Sequence, residues 1–403
     1  MNHVIIVGGG ASGLMAAIMA ARKKNKVTIL EHKEKPGKKI LATGNGKCNY
    51  TNLIQEPDCY RGKDAFFALK VINQFDVEKT LDFFLDLGVY PKIKNGYVYP
   101  NSEQAASVAE ALLIEAKLLK INIHCDVHVE KIKKNADGFL IHTTKGKYTG
   151  DKVILAAGGC ASPSHGSDGS GFTLAKLLGH TIIKPLPALV QLKSGEKYFK
   201  TLAGVRVEGT IKLFGNHTIL AEEKGEVLLA AYGVSGIPVM QVSRFAANAL
   251  EKKQTVELVI DFLPQFKLSE LLELLRSRVD RNKEKTIEQV FIGLLNNKLA
   301  YVCMNQTGIK PEQPCNEVKQ KQLQAIAKQL KEWRIPINDT NTFEQAQVSA
   351  GGVAVAEINQ DTMESKIVRG LYFAGEIMDV DGTCGGYNLQ WAWSSGAVAG
   401  MQV

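Results

Sequence analysis

Apolar residues at the start of the chain are arranged as a strand, a helix and a second strand. Residues 4–7 (Val-Ile-Ile-Val) form a short continuous apolar run, which is typical of a strand buried on both faces of a parallel sheet. The apolar, small-residue segment 14–21 predicts a helix, and residues 27–30 (Val-Thr-Ile-Leu) predict the next strand. The order predicts a βαβ unit over the first thirty-one residues.

Similar elements follow this unit. Apolar residues recur every three or four positions in residues 77–87 and 103–119, which predicts two helices. Short strands are expected around residues 127–132 and 139–144. Residues 152–159 (Lys-Val-Ile-Leu-Ala-Ala-Gly-Gly) then give an apolar run that ends in glycine. We expect this run to return to the parallel sheet.

The middle of the chain has a different pattern. Short alternating runs such as residues 210–214 and 256–262 predict strands, with one helix near residues 239–250. Leu268, Leu271, Leu272 and Leu275 then make one apolar face and begin a helical stretch. The α/β pattern resumes at residues 370–376. We therefore predict an insertion within a domain that is built from both ends of the chain.

The predicted fold class is accordingly α/β. Residues 1–186 and 341–403 would form a Rossmann-like domain whose parallel sheet contains both the first and the last strands. The insertion would consist of a strand-rich part, residues 187–264, and a helical part, residues 265–340. We expect the insertion to lie over the reactive face of the cofactor.

Three glycines follow the first strand at the spacing of a dinucleotide-binding turn. Gly8 would make the tight turn, Gly10 would let a pyrophosphate approach the backbone, and Gly13 would let the helix pack closely on the strand. Glu31, at the end of the second strand, would accept hydrogen bonds from an adenosine ribose. Because a carboxylate there repels a 2′-phosphate, the pattern favours FAD or NAD over NADP.

The far end of the chain decides between FAD and NAD. The sequence has no second G-x-G-x-x-G motif, whereas Phe373-Ala374-Gly375-Glu376 is a second strand that ends in glycine and an acid. It resembles the second FAD fingerprint of the glutathione-reductase-like superfamily, with Glu376 in place of the usual Asp. We therefore predict a flavoprotein.

A closer likeness is carried by four segments: residues 8–13, residues 43–52 (TGNGKCNYTN), residues 166–171 (GSDGSG) and residues 375–393. Together they resemble a bacterial family of FAD enzymes that includes aminoacetone oxidases and dehydro-bile-acid reductases. The likeness runs from one end of the chain to the other. The family fold implies an FAD-binding domain with an inserted β-barrel and a helical subdomain.

The resemblance also implies which residues contact a non-covalent FAD. They lie in the first βαβ unit, in the loop after it, around the strand at residues 152–155 and near the C-terminus: Gly8, Gly10, Ala11, Ser12, Gly13, Glu31, Lys38, Lys39, Gly44, Asn45, Gly46, Cys48, Asn49, Val129, Ala157, Gly158, Gly375, Glu376, Gly386, Asn388 and Leu389. The turn at Gly386 precedes an apolar helix, whose first N–H groups would receive negative charge on the reduced flavin.

The candidates for a general acid are weaker. Tyr99, Tyr232 and Tyr387 each carry a phenol proton, and His165 lies in a glycine-rich loop. Packing explains each tyrosine, and an exposed loop explains the histidine, better than a catalytic role does, so the catalytic residue stays open. Cys48 and Cys384 also lie in glycine-rich loops, but no two cysteines have the spacing of a redox pair.

Composition limits the remaining function classes. The chain has 403 residues, 45% of them hydrophobic and 22% charged, which is ordinary for a globular protein of two or three domains. No window approaches eighteen uninterrupted apolar residues, so we expect no membrane span. The seven cysteines lack zinc-ligand spacing, which predicts no metal and a reducing cytoplasm. The lysines behind the net charge of +8 are spread over the chain, so we expect no nucleic-acid partner.

The expected activity is reduction of a carbon–carbon double bond conjugated to a carbonyl in a small organic molecule, with NADH or NADPH as a transient electron donor. Without a second dinucleotide domain, the donor would have to leave before the substrate enters. The alternatives are an amine oxidase that uses O₂ and a tRNA-modifying or RNA-binding flavoprotein. The sequence does not name the substrate or the oligomeric state.

Overall fold

Five parallel strands form the sheet to which both ends of the chain contribute. The computed structural model describes residues 1–403, apart from the side chain of residue 65. In sheet order the strands are Leu371–Phe373, Lys152–Leu155, His3–Val7, Lys26–Leu30 and Asn122–His124. The sequence prediction that strands from both end segments of the chain share one sheet is confirmed.

Helices and smaller sheets complete this part of the chain. The helices are Ala11–Arg22, Lys38–Ala42, Ala65–Ile72, Val77–Asp86, Ala105–Leu118, Ser170–Leu177 and Tyr387–Gln402. One three-stranded antiparallel sheet consists of Val129–Asn135, Gly138–Thr143 and Gly146–Gly150, and another of Thr51–Asn52, Pro91–Lys94 and Tyr97–Pro100. Two strand pairs remain: Tyr60–Arg61 with Asp381–Gly382, and Ile182–Ala188 with Val348–Val353.

The first and the last helices of the chain pack closely against each other. A side chain on Gly396 would lie 2.5 Å from the carbonyl oxygen of Ser12, and one on Gly400 would clash with the backbone of Ala16. The two glycines therefore let helix Tyr387–Gln402 lie directly on the backbone of helix Ala11–Arg22.

The chain divides into two compact units, residues 1–187 with 343–403, and residues 188–342. The second unit has its own apolar core. Its helices are Phe199–Leu202, Ile237–Glu251, Leu268–Asp280, Ile287–Phe291, Asn297–Gln306 and Gln320–Lys331. Its seven strands, in sheet order, are Trp333–Ile337, Val256–Asp261, Val205–Gly215, Thr218–Ala230, Gly233–Ser235, Leu192–Lys193 and Asp339–Thr340.

This seven-stranded sheet corrects one expectation, because the described strands do not close into the predicted barrel. The two edge strands, Trp333–Ile337 and Asp339–Thr340, are separated along the chain by Asn338 alone, yet no ladder joins them. The two edge strands are therefore consecutive in the chain, but no hydrogen bonds between them close the sheet. The mixed α/β class itself is confirmed.

None of the helices in the described part of the chain has both the length and the apolarity that crossing a membrane requires.

Candidate functional site

The glycine turn after strand His3–Val7 has three distinct environments. Gly8 has a φ of +104°, and a Cβ there would lie 2.5 Å from the carbonyl oxygen of Ala156. A Cβ on Gly13 would clash with the carbonyl oxygen of Gly8. A Cβ on Gly10, in contrast, would meet no heavy atom within 4 Å. Gly8 and Gly13 are thus required by the fold, whereas Gly10 borders open space where helix Ala11–Arg22 begins.

Glu31 closes the other side of this turn. Its side chain is buried, and the N–H of Gly9 donates to its Oε2 over 2.7 Å. The N–H of Lys33 donates to Oε1 over 2.8 Å. The carboxylate is therefore held at the turn by two backbone donors, at the end of the second strand, where the sequence predicted a ribose acceptor.

The second acidic fingerprint lies next to the same helix. Gly375 has a φ of +80°, and a Cβ there would clash with the hydroxyl of Ser12. The carboxylate of Glu376 lies 2.7 Å from the Nζ of Lys39, and the N–H of Ser349 donates to its other oxygen over 2.9 Å. Two residues predicted as FAD contacts from opposite ends of the chain, Lys39 and Glu376, are thus an ion pair.

The turn after strand Lys152–Leu155 also faces this region. The N–H of Ala156 donates to the carbonyl of Val7 over 2.9 Å, which holds the turn beside the first strand. Gly158 has a φ of +73°, and a Cβ there would lie 2.8 Å from the Ser167 hydroxyl. Three strand ends therefore contribute backbone turns to one edge of the parallel sheet, the edge where open α/β sheets bind their ligands.

The C-terminal glycine pair forms the start of the last helix. Gly386 has a φ of +95°, and a Cβ there would lie 2.6 Å from the carbonyl of Thr51 and 3.0 Å from Asn49 Oδ1. The Nδ2 of Asn52 donates to the carbonyl of Gly385 over 3.0 Å. The loop over residues 43–52 is therefore packed on the turn that precedes helix Tyr387–Gln402. Both segments contain residues that the sequence analysis expects to contact FAD.

Several predicted contacts already have partners in the protein. The amide of Asn388 bonds both the N–H and the carbonyl of Gly382, each over 2.8 Å, so this side chain holds its own turn. Lys38 pairs with Glu34 over 2.9 Å at the surface. Cys48 is buried, and burial raises the pKa of its thiol to about 12. The remaining predicted positions, Gly44, Asn45, Gly46, Val129, Ala157 and Leu389, lie in the same unit of the chain.

The four candidates for a general acid do not form one group. Tyr387 is buried, burial raises the pKa of its phenol, and its ring lies edge-on to Tyr60 at 5.8 Å. Burial also raises the pKa of Tyr99, whose ring lies beside the Gly44 turn. The ring of His165 bonds the hydroxyl of its neighbour Ser164 over 3.2 Å. Tyr232 belongs to the other unit.

Sequence reasoning missed a buried polar network around Gln390. Its Oε1 accepts from the Thr51 hydroxyl over 2.5 Å, and its Nε2 donates to the Thr80 hydroxyl over 2.9 Å. The same amide reaches the carbonyl of Phe75 and the hydroxyl of Ser394. A lone glutamine in a C-terminal helix gives no signal of this kind. The network fixes helix Tyr387–Gln402 to the loop that carries Asn49.

The residues present fit a bound dinucleotide. Gly10 leaves space at a helix N-terminus, which attracts a pyrophosphate through unpaired N–H groups and the helix dipole. Asn49 Oδ1 is buried next to Gly386 and lacks a hydrogen-bond partner among the described residues. A buried polar atom of this kind normally has a partner, and a cofactor would supply one.

The comparison with known proteins agrees with this geometry. The family model for the HI0933-like protein Rossmann domain matches residues 2–402. The chain belongs to the HI0933-like family. This membership, together with the glycine turns described above, shows that the protein is an oxidoreductase of the flavoprotein type. Its cofactor is FAD.

Two relatives of this HI0933-like chain are similar over nearly their whole length. A 3-dehydro-bile acid Δ(4,6)-reductase of Clostridium scindens is 44% identical over 99% of this chain and 98% of the relative. A ribosomal RNA dihydrouridine synthase of Escherichia coli is 30% identical over 97% of this chain and 95% of the relative. Among solved structures, the open conformation of a flavocytochrome c3 fumarate reductase aligns with a TM-score of 0.48 at 16% identity, covering 100% of this chain and 78% of that one.

Proposed function

We propose that this HI0933-like protein is an FAD-dependent reductase of a carbon–carbon double bond conjugated to a carbonyl, and that its substrate is a small steroid-like or bile-acid-like molecule. The observation that carries the proposal is the 44% identity to the bile-acid Δ(4,6)-reductase over nearly all of both chains. NADH or NADPH supplies the electrons as a transient donor. This fits a chain whose one G-x-G-x-x-G motif is assigned to FAD.

The chain's own residues would hold the cofactor as follows. The N-terminus of helix Ala11–Arg22, opened by Gly10, would bind the pyrophosphate, and Glu31 would accept hydrogen bonds from the ribose. The N-terminus of helix Tyr387–Gln402, after Gly386, would stabilise negative charge on the reduced ring. The bound flavin supplies hydride transfer, and the protein supplies position and electrostatics.

The two relatives' names describe related chemistry on different substrates. A Δ(4,6)-reductase removes double bonds from a steroid ring, and a dihydrouridine synthase makes a uridine that carries two extra hydrogens on its ring. Both reactions add hydrogen across a carbon–carbon double bond. An RNA substrate is therefore the second candidate, and the whole-length identity of 30% to the ribosomal RNA enzyme is the observation that favours it.

Anaerobic half-reactions test the proposal. FAD-loaded protein is mixed with NADH or NADPH, and bleaching of the flavin absorbance is followed. The reduced protein is then mixed with conjugated steroid enones, 3-oxo bile-acid intermediates and unmodified ribosomal RNA. Rapid reoxidation by the enones, with a product two hydrogens heavier, supports the proposal. Reoxidation by RNA alone would assign the second candidate instead, and O₂ consumption with a small amine and no NAD(P)H would assign an oxidase.

We also propose a cytoplasmic location, because the scattered cysteines offer no disulfide framework. Fractionation of cells that produce the protein at native level checks it.

A further inference from the structure

The hairpin over residues 91–100 carries two tyrosine rings beside glycine turns of the cofactor site. A Cβ on Gly385 would lie 2.8 Å from Cε1 of Tyr97, and one on Gly44 would lie 3.8 Å from Cε1 of Tyr99. Tyr97 and Tyr99 are two positions apart in one strand, so their side chains leave the same face of the sheet. The proposed function gives neither ring a role.

A row of three side chains crosses this face, starting at the turn of Gly385. Asn52 lies opposite Tyr97, and Tyr97 lies opposite Lys94, in neighbouring strands of one antiparallel sheet. The Nδ2 of Asn52 donates to the carbonyl of Gly385 over 3.0 Å, so this end of the row is at the turn. Lys94 lies in the edge strand at the other end. Strands spaced by about 4.8 Å separate the two ends by about 10 Å.

The outer part of the row is open to a ligand. Tyr97 is 39% exposed. Ile54, which is 52% exposed, extends the apolar surface, because its Cδ1 would lie 3.6 Å from a Cβ on Gly96. Lys94 is exposed and has no hydrogen bond or ion pair within the described part of the chain. The row therefore joins an accessible aromatic ring to an unpaired positive charge.

The charge around this edge is positive as well. Glu103 pairs with both Lys92, over 2.9 Å, and Lys47, over 3.2 Å, so one carboxylate serves two ammonium groups. Lys94 adds a third ammonium group without a carboxylate. A bound acid would therefore meet complementary charge at this edge, whereas a bound amine would be repelled.

A flat apolar ring system with an acid at one end matches the row. Tyrosine rings bind apolar rings through a large contact area, and a few polar groups fix the orientation of a ligand. We propose that Tyr97 supports the ring system of the substrate and that Lys94 binds a carboxylate at its far end, which leaves the opposite end of the ring system at the turn of Gly385. The inference rests on the proposed function and narrows its substrate class to ring systems that carry an acid.

The test measures binding without turnover. Oxidised, FAD-loaded protein is titrated by calorimetry with a fully saturated bile acid, which has no double bond to reduce, and with its uncharged methyl ester. At low ionic strength the parent should bind the acid about two- to fivefold more tightly than the ester. Lys94→Gln should remove this preference and leave binding of the ester unchanged. The matched control is Lys147→Gln, which removes an exposed lysine from a strand of another antiparallel sheet and should keep the preference.

Two substitutions test the ring. Tyr97→Ala should weaken binding of both the acid and the ester by at least about fivefold, whereas Tyr97→Phe keeps the ring and should bind both as the parent does. Because Tyr97 packs on the turn of Gly385, the FAD content of each variant is measured from the flavin released on denaturation. Tyr97→Phe and Lys94→Gln remain informative if Tyr97→Ala loses its cofactor.

Three results would overturn the proposal: equal binding of acid and ester by the parent, a preference for the acid that survives in Lys94→Gln, and weaker binding of both ligands in Tyr97→Phe. Absence of any steroid binding, with ribosomal RNA bound in a manner that depends on Tyr97, would assign the row to RNA instead. Failure of the proposed function is recognised separately, because the reduced parent would then fail to reduce a neutral steroid enone, which has no acid for Lys94 to bind.

Discussion

A single added methyl group at Gly10 or at Gly13 should separate cofactor binding from folding. Gly10 has an extended backbone with a φ of −78°, which alanine also adopts, and its Cβ would meet no atom within 4 Å. Gly10→Ala should therefore change the unfolding free energy of the FAD-free protein by less than about 1 kcal/mol. A Cβ on Gly13 would overlap the Gly8 carbonyl, so helix and strand must move apart. Such overpacking costs about 1–3 kcal/mol or more.

The two effects are measured by separate assays on the same variants. Urea unfolding of the FAD-free proteins gives the stability change, and quenching of flavin fluorescence on titration gives the FAD affinity. Gly10→Ala should lose at least about tenfold in affinity, which is about 1.4 kcal/mol. The larger Gly10→Val should purify without yellow colour.

Unchanged FAD affinity in Gly10→Ala would show that the pyrophosphate binds elsewhere. Unchanged stability in Gly13→Ala would show that the contact between helix and strand is looser than the structure has it.

Three further predictions concern thiols, pH and the buried glutamine. Exchanging both Cys48 and Cys384 for serine should leave NAD(P)H-dependent flavin reduction and turnover within about tenfold of the parent, because Cys48 is a buried protonated thiol. Turnover that collapses while flavin reduction persists would reveal a thiol relay. Burial lowers the pKa of His180, so as the pH falls the unfolded chain binds a proton before the folded protein does. Urea unfolding should therefore show full stability above the ordinary pKa of 6.5 and a loss of stability as the pH falls below it. His180→Gln should make this dependence of stability on pH weaker. Gln390→Leu should lower the unfolding free energy by about 1–3 kcal/mol, because it leaves buried hydroxyls unpaired. Gln402→Leu, on the exposed end of the same helix, should change the unfolding free energy little. Equal effects of the two substitutions would show that the hydrogen bonds of Gln390 do not stabilise the fold.

The parts of the fold that local pattern governs could be predicted from the sequence. Residues 4–7, 27–30 and 152–155 are apolar runs that a parallel sheet buries, and all three belong to the observed sheet. The spacing from Gly8 to Gly13 specifies the tight turn between the first strand and the first helix, and it can be recognised from neighbouring residues alone. The return of residues 371–373 to this sheet followed from a strand that ends in glycine and acid.

Features that depend on tertiary contact could not be read in this way. Whether the inserted strands close into a barrel depends on hydrogen bonds between Trp333–Ile337 and Asp339–Thr340, which alternation of residues does not specify. The hydrogen bonds of Gln390 and the packing of Tyr97 on Gly385 join positions far apart along the chain. The ion pair between Lys39 and Glu376 is of the same kind, although both residues were predicted at the site.

The close packing of helix Tyr387–Gln402 on helix Ala11–Arg22 has a consequence for biosynthesis. The ribosome synthesises residues 11–22 long before residues 387–402, which carry the surface that covers them. Until residues 387–402 emerge, the nascent chain therefore exposes an apolar helix face that they cover in the folded protein. A nonsense mutation that removes residues 387–402 would leave this helix face unburied, which makes the truncated polypeptide a target for chaperones and proteases.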